Sequence, residues 1–203
     1  MVQPGEWKEY AEARGKITIP CKMNLWLSVS YKAMFDLTPL SHLNADDLQE
    51  LSITSSHEFD DIQLRNIESL TGLTGLALWE TKTGDNTFSR LSHFSNLRWL
   101  DIGDTKITND GLAFIKNMTC LEELSLLNNE IEDRGLRHLE GLKMLKRLDL
   151  MGTKVGDLSF EILQNMKGLE HLRIVDTNIS YPIFAKLKLA LPNSHISYHE
   201  FAR

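Results

Sequence analysis

The stretch Leu97-Arg98-Trp99-Leu100-Asp101-Ile102-Gly103-Asp104-Thr105-Lys106-Ile107 decides how this chain folds. Leu100 and Ile102 flank a single polar residue, which is the period of a short strand with one apolar face. Past Ile107 the pattern changes. Asn109 is followed by Leu112, Ile115 and Met118 at helical spacing, one apolar stripe of a short helix. One strand and one short helix cannot bury both faces alone, so the unit requires neighbours of its own kind.

Those neighbours are present. The pattern recurs with a step of 24 residues at Leu121, Leu145 and Leu169. Backwards it fits from Leu73, then from Leu48 with one residue inserted after the strand, and in degraded form from Asn24. Forwards, Asn193, Ile196 and Tyr198 read as a last strand. About eight rungs are expected, starting near 24, 48, 73, 97, 121, 145, 169 and 193. Residues 24–203 form the array and residues 1–23 an N-terminal cap, with a polar helix over 6–14 and an edge strand over 16–19. Asp36, Asp61, Asp85, Asn109, Asp133 and Asp157 open successive outer segments and are expected to cap the first turn of their own helices. Ser180 and Pro182 serve the rung where Tyr181 stands instead. Thr105, Asn129, Thr153 and Thr177 recur after each strand and are expected to hydrogen-bond to neighbouring turns. Cys120, before Leu121, is read as a packed helix-end residue.

The motif L-x-x-L-x-L-x-x-T-x-I-x-D-x-G-L, over about residues 24 to 200, resembles the leucine-rich-repeat superfamily. Its ribonuclease-inhibitor-like subtype and the compact arrays of bacterial proteins are especially similar. The resemblance implies an α/β solenoid, a short right-handed arc with parallel strands on the concave face and helices on the convex face. It further implies binding through the concave side.

Composition narrows the partner. A formal net charge of −6 argues against a nucleic-acid or anionic-membrane binder, because both reward a basic patch. Two cysteines, Cys21 and Cys120, sit in no CxxC pair and suit a reduced cytoplasmic protein. The opening residues carry no apolar run behind a basic start, so no signal peptide is expected. A monomer is favoured.

The residues flanking the inward leucines should face out in columns. The first is Trp26, Glu50, Gly75, Trp99, Glu123, Arg147, His171 and His195; the second is Ser28, Ser52, Ala77, Asp101, Ser125, Asp149, Arg173 and Ser197. The third contains Trp79, Gly103, Leu127, Met151 and Val175. The fourth contains Ser55, Glu80, Asp104, Asn128, Gly152 and Asp176. Trp79, Trp99, Leu127, Met151 and Val175 give an apolar stripe of the kind that anchors protein partners. Glu50, Glu80, Asp101, Asp104, Glu123, Asp149 and Asp176 make its surroundings acidic, answered only by Arg147 and Arg173, so a basic partner is expected to dock against Asp101, Asp104 and Glu123. His171 completes the candidate surface. Trp26, beside the cap, is expected to pack rather than bind.

Chemistry finds little support. Asp101 and Asp149 stand two rungs apart, roughly 10 Å at about 4.8 Å per strand, too far for a paired acid and base. His171, His195 and His199 are not read as a metal site, and no nucleophile, phosphate-loop or cofactor motif occurs. The expected function is a non-catalytic module that binds another protein without cofactor or metal. The alternatives are an inhibitor or immunity protein neutralising a basic toxin or enzyme, and the substrate-recognition subunit of a larger complex.

Overall fold

The computed structural model describes residues 26–29, 37–55, 59–60 and 62–199. Its eight strands form one parallel sheet in sequence order, each pairing only with its neighbours in the chain. They are β1 (Trp26–Val29), β2 (Glu50–Ile53), β3 (Gly75–Ala77), β4 (Trp99–Asp101), β5 (Glu123–Ser125), β6 (Arg147–Asp149), β7 (His171–Arg173) and β8 (His195–Ser197). Leu51, Leu76, Leu100, Leu124, Leu148, Leu172 and Ile196 stand in register. The one-residue-longer step from β2 to β3 leaves that register undisturbed. The cap at residues 1–23, and Asp36, Asp61, Tyr31 and Glu200, lie outside the described residues.

The strand leucines point inward and meet the apolar face of the outer segments. Leu51, Ile53, Leu76, Leu78, Leu126 and Leu150 are completely buried, as are Phe59, Phe88 and Phe94 beneath the turns. Each such side chain contributes on the order of 2 kcal/mol of burial, and the contribution is shared, because every leucine packs between two rungs. This is an α/β leucine-rich-repeat arc with its strands concave and its helices convex.

The outer segments are short and mixed. Four are α-helical: α1 (Asp85–Leu91), α2 (Asn109–Ile115), α3 (Phe160–Leu163) and α4 (Tyr181–Ala190). Thr38–His42, Gln63–Asn66, Asp133–Leu139 and Asp157–Ser159 are 3₁₀-helical. Seven residues or fewer per rung leave little room for a full α-helical ladder in most of them, so the tighter coil serves.

In four of the described outer segments the polar residue expected as a cap, Asp85, Asn109, Asp133 or Asp157, reaches forward to the next rung. Asp85 accepts from the Thr108 N–H at 2.8 Å and from the Thr108 hydroxyl at 2.7 Å, one rung further on. Thr108 is the N-cap of α2, and its hydroxyl oxygen accepts from the Asp110 N–H. The same step recurs from Asn109 to the Glu132 N–H at 2.9 Å, from Asp133 to Gly156 at 2.7 Å, and from Asp157 to Ser180 at 2.7 Å. The expectation of intrahelical capping is therefore corrected: each polar group holds the entry to the following helix. This contact also explains the glycine of the D-x-G-L motif. A Cβ on Gly111 would lie 2.4 Å from Asp85 Oδ1, and one on Gly135 2.4 Å from Asn109 Oδ1.

Two further expectations change. Of the residues after the strands, Asn129 and Thr105 reach across as expected, Asn129 donating to the Ile102 carbonyl at 2.7 Å and the Thr105 hydroxyl lying 2.9 Å from Asn129 Oδ1. The hydroxyls of Thr153 and Thr177 instead donate to the carbonyl three residues back in their own rungs. Cys120 is an exposed free thiol in a turn, not a packed residue.

Candidate functional site

Because the strands are parallel and in register, residues far apart in sequence become columns on one face. The first two columns follow the observed pairing: Glu50, Gly75, Trp99, Glu123, Arg147, His171 and His195 in one, and Ser52, Ala77, Asp101, Ser125, Asp149, Arg173 and Ser197 in the next. Trp99, Asp101, Glu123, Arg147, Asp149, His171 and Arg173 line a shallow open depression of about 580 Å³. Trp79, Leu127, Met151 and Val175 are half-buried along the adjacent column. The side chain of Trp26 lies outside what the structure describes.

The tryptophans recline on glycines. A Cβ on Gly75 would fall 2.1 Å from the Trp99 indole, so that ring lies over the preceding strand. A Cβ on Gly103 would be 2.9 Å from Trp79 Cδ1 and 3.0 Å from Leu127 Cβ. The gap that Gly103 leaves in the third column is filled by Trp79 leaning forward, which makes the apolar stripe continuous. Gly75, Ala77 and Gly103 are consequently buried although they occupy the outward columns.

The fourth column carries a backbone signature. Ser55, Glu80, Asp104, Asn128, Gly152 and Asp176 have φ of 52°, 56°, 51°, 53°, 68° and 56°. This left-handed step turns the chain off the strand while its N–H still reaches the next rung, as where Asp104 donates to the Leu127 carbonyl at 2.8 Å. Asp, Asn and Gly tolerate it well; Glu does not.

The acidic character of the face is largely answered internally. Arg147 pairs with Glu123, and Arg173 donates to Asp149 at 3.1 Å. Asp104 accepts from Trp79 Nε1 at 3.1 Å and from Asn128 Nδ2 at 2.9 Å. At the edge of the face Glu122 lies between Lys146, at 2.7 Å, and Arg98. Their hydrogen bonds, Lys146's foremost, hold its carboxyl down at about 2. Of Asp101, Asp104 and Glu123, grouped in sequence as one docking cluster, two are thus already engaged within the chain, and among the described residues the Asp101 carboxylate meets the Gly103 N–H at 3.1 Å and no cation. These pairings were visible in the sequence as opposite charges repeated one rung apart in one column.

His171 and His195 face each other with ring centres 6.0 Å apart. Among the described residues no three metal-ligating side chains gather. No helix of the described residues is long and apolar enough to cross a membrane.

Comparison with known proteins agrees with this geometry. The family described as Leucine rich repeat matches residues 95–155. The chain carries leucine-rich repeats. Among solved structures, this leucine-rich-repeat chain is similar to internalin C2 of Listeria monocytogenes, at 26% identity and a TM-score of 0.66, over 81% of this chain and 66% of that one. An internalin, inlF, of the same organism follows at 22% identity and a TM-score of 0.58, over 83% of this chain and 51% of that one. The leucine-rich-repeat ectodomain of the Arabidopsis receptor kinase HAESA, solved with a peptide hormone ligand, shares 15% identity at a TM-score of 0.53, over 72% of this chain and 25% of that one. The chain spans from about half to about two thirds of the internalins' length. No curated protein sequence matches it.

Proposed function

We propose that the chain is a non-catalytic recognition module that binds a basic partner protein on its concave face. The observation that carries this is the shelf of Trp79 and Trp99 beside Asp101: two large aromatic rings on an open surface, next to a carboxylate without a cation. Half-buried aromatics of this kind supply most of the energy of protein interfaces. Among the described residues Glu50, Glu80 and Asp176 also have no ion pair, and Glu50 and Glu80 flank the same shelf, so attraction for a cationic partner is strong there. Met151, Val175, His171 and the two internal ion pairs extend the surface toward β8. That a similar ectodomain was solved holding a peptide hormone supports a polypeptide ligand. Residues 24–203 would act as one binding unit behind the cap at 1–23, and the short, mixed outer segments favour the compact bacterial type of array, near 24 residues per rung, over the ribonuclease-inhibitor-like subtype. The exposed Cys120 thiol suits a reducing cytoplasm. The same free acids favour an inhibitor or immunity protein as the second reading, with a basic toxin as partner.

The test compares capture by the wild type, by W79A/W99A, and by a convex-face variant, I62A/L158A, which alters two exposed apolar residues. A partner held by the wild type and the convex variant but lost by W79A/W99A is the expected result. A partner lost only by the convex variant would move the binding surface to the helices and end the proposal.

A further inference from the structure

Asp101 and Asp149 occupy one column of the concave face with Ser125 between them in register. Both carboxylates are fixed the same way to the backbone. The Met151 N–H donates to Asp149 Oδ1 at 2.9 Å, and the Gly103 N–H to Asp101 Oδ1 at 3.1 Å. At Asp149 the second oxygen is occupied: Arg173, next in the column, donates to Oδ2 at 3.1 Å. At Asp101 the next strand presents Ser125 where Asp149 meets Arg173, and among the described residues no cation pairs with the carboxylate. The repeat therefore contains a filled and an empty copy of one charge site within a single molecule.

The empty copy is suited to a visitor. Ser125 is small, and Trp99, Asp101 and Ser125 all line the same open depression. Trp99 stands two residues before Asp101 on β4, about 7 Å away along a strand, and its indole is laid back over Gly75 of β3, which leaves the space over Ser125 open.

We propose that Asp101 binds an arginine side chain of the partner, the guanidinium lying over Ser125 as Arg173 lies beside Asp149, with one edge on the free oxygen of Asp101. This rests on the concave-face reading and names the residue that the face selects. Arginine fits better than lysine because its planar fork pairs with a carboxylate edge-on and its guanidinium is more weakly hydrated than an ammonium. Asp101 is half-buried, which lessens solvent screening of the pair.

The repeat also supplies the decisive variant. Ser125→Arg places in the empty copy the side chain that fills the other one, and the equivalent column position already carries Arg173, so the fold accommodates it. Asp101→Asn keeps an oxygen for the Gly103 N–H while removing the charge. The experiment titrates the full chain with the blocked tripeptide acetyl-Gly-Arg-Gly-amide and follows the Trp99 indole N–H signal by NMR, with lysine and citrulline versions as controls. A saturable shift is expected for arginine, at least fivefold weaker for lysine and for citrulline, and at least fivefold weaker in each variant. Absence of a saturable shift, equal binding of either control peptide, or wild-type affinity in either variant overturns the proposal. The broader reading is judged separately. A partner lost by W79A/W99A but held by S125R keeps the concave face and removes the arginine site, whereas a positive peptide titration with a partner that ignores W79A/W99A keeps the site and removes the face as the partner's surface.

Discussion

The indole of Trp99 lies directly on Gly75 of the preceding strand, closer than any side chain at that position would permit. Glycine is therefore required here by the neighbour's ring. Gly75→Ala should lift the indole off the sheet, shift its fluorescence to the red and destabilise the chain by about 1–3 kcal/mol, as overpacking does. In a double-mutant cycle with Trp99→Ala, urea unfolding should show a total below the sum of the single effects. Strict additivity would mean that the ring does not rest there.

Asn129 is a buried post-strand side chain that ties two rungs together. Its amide reaches the carbonyls of Ile102 and Leu126, and its oxygen accepts from the Thr105 N–H and hydroxyl. With only 3% of its surface exposed, Asn129→Ala leaves buried polar groups without partners and should cost about 2–3 kcal/mol in a urea titration. Asn129→Thr should cost clearly less, because Thr153 satisfies the equivalent carbonyl in its own rung. Equal losses would show that the bridge between rungs, not the local bond, sets the cost.

Glu122 makes stability depend on acid pH. Its carboxyl is lowered from 4.5 to about 2 by hydrogen bonds from Lys146 and Arg98. A depressed folded value means that the unfolded chain takes up the proton first, so the contribution is complete above pH 4.5 and fades as pH falls toward 2. The stability difference between the wild type and Glu122→Gln should therefore be flat above about pH 5 and narrow steadily below it. A gap that stays constant down to pH 2.5 would remove the charge effect.

Glu80 holds the left-handed conformation that Asn128 and Gly152 adopt at the same place in later rungs. Glu80→Asn should relieve part of that strain and stabilise the chain by about 0.5–1 kcal/mol, measured as a higher urea midpoint. If Glu80 steers the basic partner, the same variant should slow association. A variant less stable than the wild type would contradict the strain assignment.

Leucines at a fixed interval left the backbone few options, so the parallel sheet, its register and the outward columns were legible from the sequence. Side-chain geometry between rungs was less so. The forward reach of Asp85 to Thr108 depends on how far one turn lies ahead of the next, which no single repeat reveals. The neutralisation of Glu123 by Arg147, and of Asp149 by Arg173, could be read once the columns were treated as pairs. Trp79 closing the gap at Gly103 could not, because the lean of a large ring depends on the space a neighbour leaves.

The contact from Asp85 to Thr108, repeated at Asn109, Asp133 and Asp157, runs one way along the stack. Each of these four rungs prepares the start of its successor's outer segment. Shortening the protein from its C-terminal side leaves every surviving helix start with its partner, while removing rungs from the N-terminal side strips the first survivor of its anchor. The array has a grain, and it matches the order in which a ribosome would deliver the rungs.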